Sequence, residues 1–99
     1  MTEKEFMTWL EVEFAKHPML AKSSPRSLNE LCYVLRMSGK EFAIGWRTGD
    51  GFASIPSVQM AFIPSWQLAQ KIEVVGYDED TFEGKTYAHI TVEILELEG

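Results

Sequence analysis

One cysteine, two histidines and no long apolar run set the first limits on this 99-residue chain. A lone Cys32 excludes an internal disulfide and a zinc site built on several cysteines. Nothing then argues for secretion, and the cytoplasm is the expected location. His17 and His89 do not form metal-ligand spacing, and no other ligand cluster supports them, so neither metal nor cofactor is expected. No apolar stretch approaches the length of a membrane span. The amino terminus "MTEKEFMTWL" is acidic and mixed where a signal peptide would be basic and then continuously apolar. A glycine-rich phosphate loop is missing too, because "GWRTGDGF" lacks the lysine and the following helix of a nucleotide cradle.

Positive charge is scarce, with 9 lysines and arginines against 15 aspartates and glutamates. Its distribution is uneven. Residues 72 to 99 hold Glu73, Asp78, Glu79, Asp80, Glu83, Glu93, Glu96 and Glu98 against Lys85 alone, a net of −7. The first 71 residues carry the remaining eight basic and seven acidic groups and stand at +1. No basic stripe exists to bind nucleic acid directly, and the acidic quarter would repel phosphate.

Composition is otherwise that of a folded domain: 45% apolar and 24% charged residues. Residues 1–99 are read as one domain, long enough for a core without metal or disulfide support. Between Thr2 and His17, the residues Phe6, Met7, Trp9, Leu10 and Phe14 share an arc at helical spacing, and Pro18 ends it. The stretch "WLEVEF" also alternates as a strand would. "HPMLAKSSPR" follows as a loop. In "SLNELCYVLRMSGK", Ser27 and Glu30 form a capping box, Leu28, Leu31, Cys32 and Leu35 share a face, and Gly39 is the stop. Period-two alternation in "EFAIGWRTGDGFASI" predicts a hairpin turning at Asp50-Gly51. An echo follows, "IPSVQMA" and "IPSWQLA", read as two similar connections between strands or as a duplicated element exposing Trp66.

"KIEVVGYDEDTFEGKTYAHITVEILEL" is the clearest strand pair. A three-residue turn, Phe82-Glu83-Gly84, predicts Ile72 opposite Ile94, Val74 opposite Val92 and Gly76 opposite Ile90 on an apolar face. That register sets Asp78 against Ala88 and Asp80 against Thr86 on the same face. Ionised aspartates cannot extend a core unpaired, so residues 78 to 86 should project as a solvated finger. The other face then carries Glu73, Val75, Tyr77 and Glu79 opposite Glu93, Thr91, His89 and Tyr87, with Glu73 and Glu93 as like-charged neighbours. The fold expected is α+β: two amino-terminal helices packed on an antiparallel sheet of about four strands, built from two β-hairpins.

Catalytic chemistry finds little support. Read as a calcium loop, "DEDTFEGKTYAH" puts Phe82, Glu83 and His89 where a ligand, a glycine and a glutamate are required. Glu13 and His17 could pair on one helix face, but no nucleophile or oxyanion site accompanies them. Cys32 on the inward stripe reads as a buried small hydrophobe. An enzyme is therefore not expected. The expectation is a binding protein offering Tyr77, Asp78, Glu79, Asp80, Glu83, Tyr87, His89, Glu73 and Glu93 to a basic protein surface, as an inhibitor or regulator. Small acidic inhibitors encoded by phages and mobile elements work in this way, a likeness of charge alone. Three alternatives stand beside it: acids that only keep a protruding strand end from pairing with other chains, a ligand-binding or enzymatic pocket lined by Trp9, Trp46 and Trp66, and a subunit that assembles, or dimerises, through a sheet edge.

Overall fold

Phe6, Leu10 and Phe14 recur every four residues and all three are buried, while Val12 between them is exposed. That period is helical, and it settles the ambiguity of "WLEVEF" in favour of α1, Glu3–Ala15. The computed structural model describes residues 1–22, 25–48, 51–56 and 69–95. Thr2 caps α1: its hydroxyl accepts from the Glu5 amide at 3.1 Å, and the Glu5 carboxylate accepts from the Thr2 amide at 3.2 Å. α1 ends at Ala15, before Pro18, which instead opens a single-turn α2, Pro18–Ala21, at a position where its missing N–H costs nothing.

The two-residue β1, Arg26–Ser27, leads directly into α3, Leu28–Met37. Ser27 and Glu30 form the expected reciprocal cap, at 3.1 and 3.0 Å. Gly39, at φ +76°, takes the left-handed conformation that releases the chain from the helix. Removing either cap, by Thr2→Ala or Ser27→Ala, should lower stability by about 1 kcal/mol each. The Ser27 change should sit at the upper end of that range because Ser27 is buried and Thr2 is exposed. Urea unfolding of the two variants measures both.

Four further strands follow: β2 Phe42–Thr48, β3 Gly51–Pro56, β4 Lys71–Phe82 and β5 Lys85–Ile94. Their order is β1-β4-β5-β2-β3. β2–β3 and β4–β5 are antiparallel hairpins, and the class is α+β as the sequence implies. The sheet is mixed rather than purely antiparallel, because β5 lies parallel to β2 with Phe42, Ile44 and Trp46 beside Ala88, Ile90 and Val92. β1 adds a short antiparallel edge to β4, formed by Arg26, the last residue of the expected loop, and Ser27, the expected helix cap. Pro25 lies just beyond Arg26 and, lacking an N–H, cannot extend that ladder.

One core joins the layers. Phe6, Leu10 and Phe14 of α1 and Leu28, Leu31, Val34 and Leu35 of α3 pack with Phe42, Ile44, Ile72, Ile90 and Val92 of the sheet. No described helix is long and apolar enough to cross a membrane. Of the expected turn at Asp50-Gly51, Gly51 is instead the first residue of β3, paired with Thr48, while Asp50, Trp66 and most of the "IPS" echo lie outside the described residues.

Candidate functional site

The β4–β5 hairpin carries two registers. Near the sheet centre, Ile72, Glu73 and Val74 pair with Ile94, Glu93 and Val92, as the hydrophobic pattern requires. Beyond Val74 the ladder shifts by one: Gly76 pairs with Thr91, Tyr77 with Ile90, Asp78 with His89, Glu79 with Ala88 and Asp80 with Tyr87. The expected pairing of Asp78 with Ala88 and Asp80 with Thr86 is therefore corrected. The cause lies at the turn, where Phe82 pairs with Lys85 and only Glu83 and Gly84 form the loop. Both have positive φ, +51° and +78°, the conformation of a two-residue turn whose twist matches the strands. A two-residue turn and the apolar register near the core differ by one residue, and a bulge at Val75 absorbs the difference.

This bulge sorts the charges. Tyr77 turns toward the helices and stacks on Phe6 with ring centroids 4.3 Å apart. Glu79 follows on that side, where its carboxylate accepts from the Tyr77 hydroxyl at 2.6 Å and from the Met1 ammonium at 3.2 Å. Asp78 and Asp80 are carried to the opposite face, in one row with Glu73 and across from Tyr87, His89 and Glu93. Gly76 marks the same face, since a Cβ built there would lie 3.4 Å from that of Thr91.

The nine residues singled out in the sequence thus divide. Tyr77 and Glu79 serve internal contacts, Glu83 sits exposed at the turn, and Glu73, Asp78, Asp80, Tyr87, His89 and Glu93 share the face away from the helices. Glu73, Asp78 and Glu93 are exposed, and Asp80, Tyr87 and His89 are half-buried. Among the described residues no lysine or arginine pairs with Glu73, Asp78, Asp80 or Glu93. Glu73 and Glu93 stand directly opposite each other, an arrangement that destabilises a sheet left to itself. From Asp80 outward, β4 and β5 run past the first residue of β2, and Thr81, Glu83, Gly84, Lys85 and Thr86 are exposed.

Other candidates resolve into packing. Glu13 pairs with Lys16 at 2.9 Å instead of with His17, whose ring lies edge-on to Tyr33 at 5.3 Å. Arg26 lies over the Phe14 ring at 3.8 Å and donates to the Leu20 carbonyl at 2.7 Å. Trp9 stacks on Phe6 and carries Lys40 over its own ring, so its aromatic face is already covered on both counts. Trp46 is placed in β2, and Trp66 lies outside the described residues.

Two neutral acids are held by burial. Loss of solvation pushes the Cys32 thiol up to about 11, so it is no thiolate nucleophile near neutrality. Loss of solvation also pushes the Tyr77 hydroxyl up to about 12, reinforced by its hydrogen bond to Glu79. The Glu79 carboxyl is held below its ordinary range, first by that hydroxyl and then by the Met1 ammonium. Each raised group releases its proton more readily in the unfolded chain, so its contribution to stability is complete below its ordinary pKa. Those ordinary values are 9.0 for the thiol and 10.0 for the hydroxyl. The urea midpoint should therefore fall as pH rises from about 9 toward 12, and Cys32→Ala should delay the onset by removing the earlier titration.

Comparison of the chain with protein-family models, with curated proteins and with solved structures gave no match.

Proposed function

We propose that this chain is a non-catalytic binding protein whose acidic sheet face, Glu73, Asp78, Asp80 and Glu93 with Tyr87 and His89, engages a basic surface on another protein. The observation that supports the reading most is the bulge at Val75, which turns Asp78 and Asp80 away from the helices while Tyr77 and Glu79 are spent internally. Four carboxylates remain on one face with no lysine or arginine of the described residues to neutralise them. A basic partner would relieve the Glu73–Glu93 repulsion that the isolated sheet retains. Tyr87 adds contact area that charge alone does not supply.

Such a contact inhibits or regulates its partner by occupying the cationic side chains. Where those side chains ordinarily hold nucleic acid, the hairpin competes with phosphates for them. The test is capture from a lysate of the source organism at low ionic strength, followed by a salt gradient. A basic protein should be retained and then released as screening lengths shrink below the reach of surface charges. Retention that is indifferent to salt would overturn the reading.

A further inference from the structure

Among the described residues, the side of β4 away from β5 is paired only at Lys71 and Ile72, by β1. From Glu73 to Phe82 no strand of the described residues occupies that edge, and Val75, Asp78, Glu79 and Thr81 beside it are exposed. An open run of this length is a template for another strand. Its two flanks differ. On the helix side, at the inner end of this run beside β1, a groove of about 470 Å³ opens between α1 and β4, lined by Met7, Leu10, Phe14, Arg26, Ile72 and Val74. On the far side stand Glu73, Asp78 and Asp80.

We infer that the basic partner docks an extended segment on the β4 edge, with apolar and basic side chains in alternation. This rests on the function proposed above and specifies the form of the partner. A strand laid against β4 sends successive side chains to opposite faces. One set then lies on the helix side, where the apolar side chain next to Val74 enters the groove and those farther out pass Tyr77, and the other reaches the row of carboxylates. Glu11 and Arg26 also line that groove, so the excess of negative charge lies on the far side. A second copy of this chain fits poorly, because two β4 edges paired antiparallel about a twofold axis at Glu79 would set Asp78 opposite Asp80 and Glu79 opposite Glu79.

The experiment uses the full chain and three synthetic peptides of lysine alternating with valine: one unmodified, one N-methylated at every lysine, one at every valine. Charge is the same in all three. In an added strand, alternate N–H groups point toward β4 and the others away, so one methylated peptide should lose about tenfold or more in affinity and the other should bind as the unmodified one does. Titration calorimetry at low salt gives the affinities. Amide exchange should slow along residues 74 to 82 with the two binding peptides and stay unchanged with the third. Equal affinity of all three peptides, or equal weakening by both methylation patterns, would overturn strand addition while leaving the charge reading intact. Binding by none of them would overturn the inference, and the salt-gradient capture then decides the wider reading separately. A dimer in sedimentation that dissociates only as peptide binds would also contradict it, since the edge would then belong to a second copy.

Discussion

Phe6→Ala is expected to lower the stability of the chain by about 3 to 5 kcal/mol. Phe6 is fully buried in α1. Its ring contacts Trp9 at 5.6 Å and Tyr77 at 4.3 Å, so it joins the helix layer to the outer half of β4. Truncation removes the transfer energy of the ring and leaves a cavity that the sheet and α3 are too rigid to close. Domains of this size are stable by only about 5 to 15 kcal/mol, so the variant should be partly unfolded at modest temperature. The effect should also be local: with its stacking partner gone, Tyr77 loses the contact that holds the hairpin's outer register. Phe6→Leu, which keeps most of the volume, should cost far less, about 1 to 1.5 kcal/mol. Urea midpoints for both variants provide the check, and a loss below about 1 kcal/mol for the alanine variant would mean that this stack does not anchor the hairpin.

The double reversal Asp78→Lys and Asp80→Lys is expected to weaken binding to the basic partner by about a hundredfold at low salt. At contact distance in water each charge pair is worth about 1 kcal/mol, and reversal replaces attraction with repulsion of similar size. Two sites then supply up to about 4 kcal/mol, of which screening removes a share. Stability should hardly change, because Asp78 is exposed and no lysine or arginine of the described residues pairs with either aspartate. Reversal of Glu3 on α1 and Glu41 ahead of β2, both exposed and outside the groove, alters net charge equally and should leave affinity within about a factor of three, the scale of long-range screened charge. Equal losses in the two double variants would mean that only net charge matters and that no particular face is used. Glu79→Lys should behave differently from both. It sets an ammonium against the Met1 ammonium and strands the Tyr77 hydroxyl, so its effect should fall on stability more than on binding.

Much of this arrangement is written in local sequence. The capping box of Ser27 and Glu30 and the stop at Gly39 give α3 directly, because the groups that satisfy a helix end lie three or four residues from it. Alternation gives the strands of both hairpins, and apolar matching gives the register from Ile72 to Val74. The outer register was not legible, because Gly84 alone announces a positive φ, and Glu83 adopts one without any signature of composition. Reading the turn as three residues long places every side chain from Gly76 to Asp80 on the wrong face, grouping Tyr77 with the acids and the aspartates with the core. Aspartate against Ala88 was itself the warning, since burial of a carboxylate is costlier than a bulge. The parallel pairing of β2 with β5 was hidden for another reason. Each strand's pattern records which face is buried, and nothing in it records which neighbour lies alongside. β1 was missed because two residues carry no period at all.

Nuclear Overhauser contacts of the hairpin test the sorting of charges most directly. The account requires cross-peaks between the rings of Tyr77 and Phe6 and between the Gly76 α-protons and the Thr91 side chain, with none from the β-protons of Asp78 or Asp80 to any side chain of α1. Contacts from either aspartate to α1, with the Tyr77 ring seen against His89, would show an unbulged ladder and contradict it.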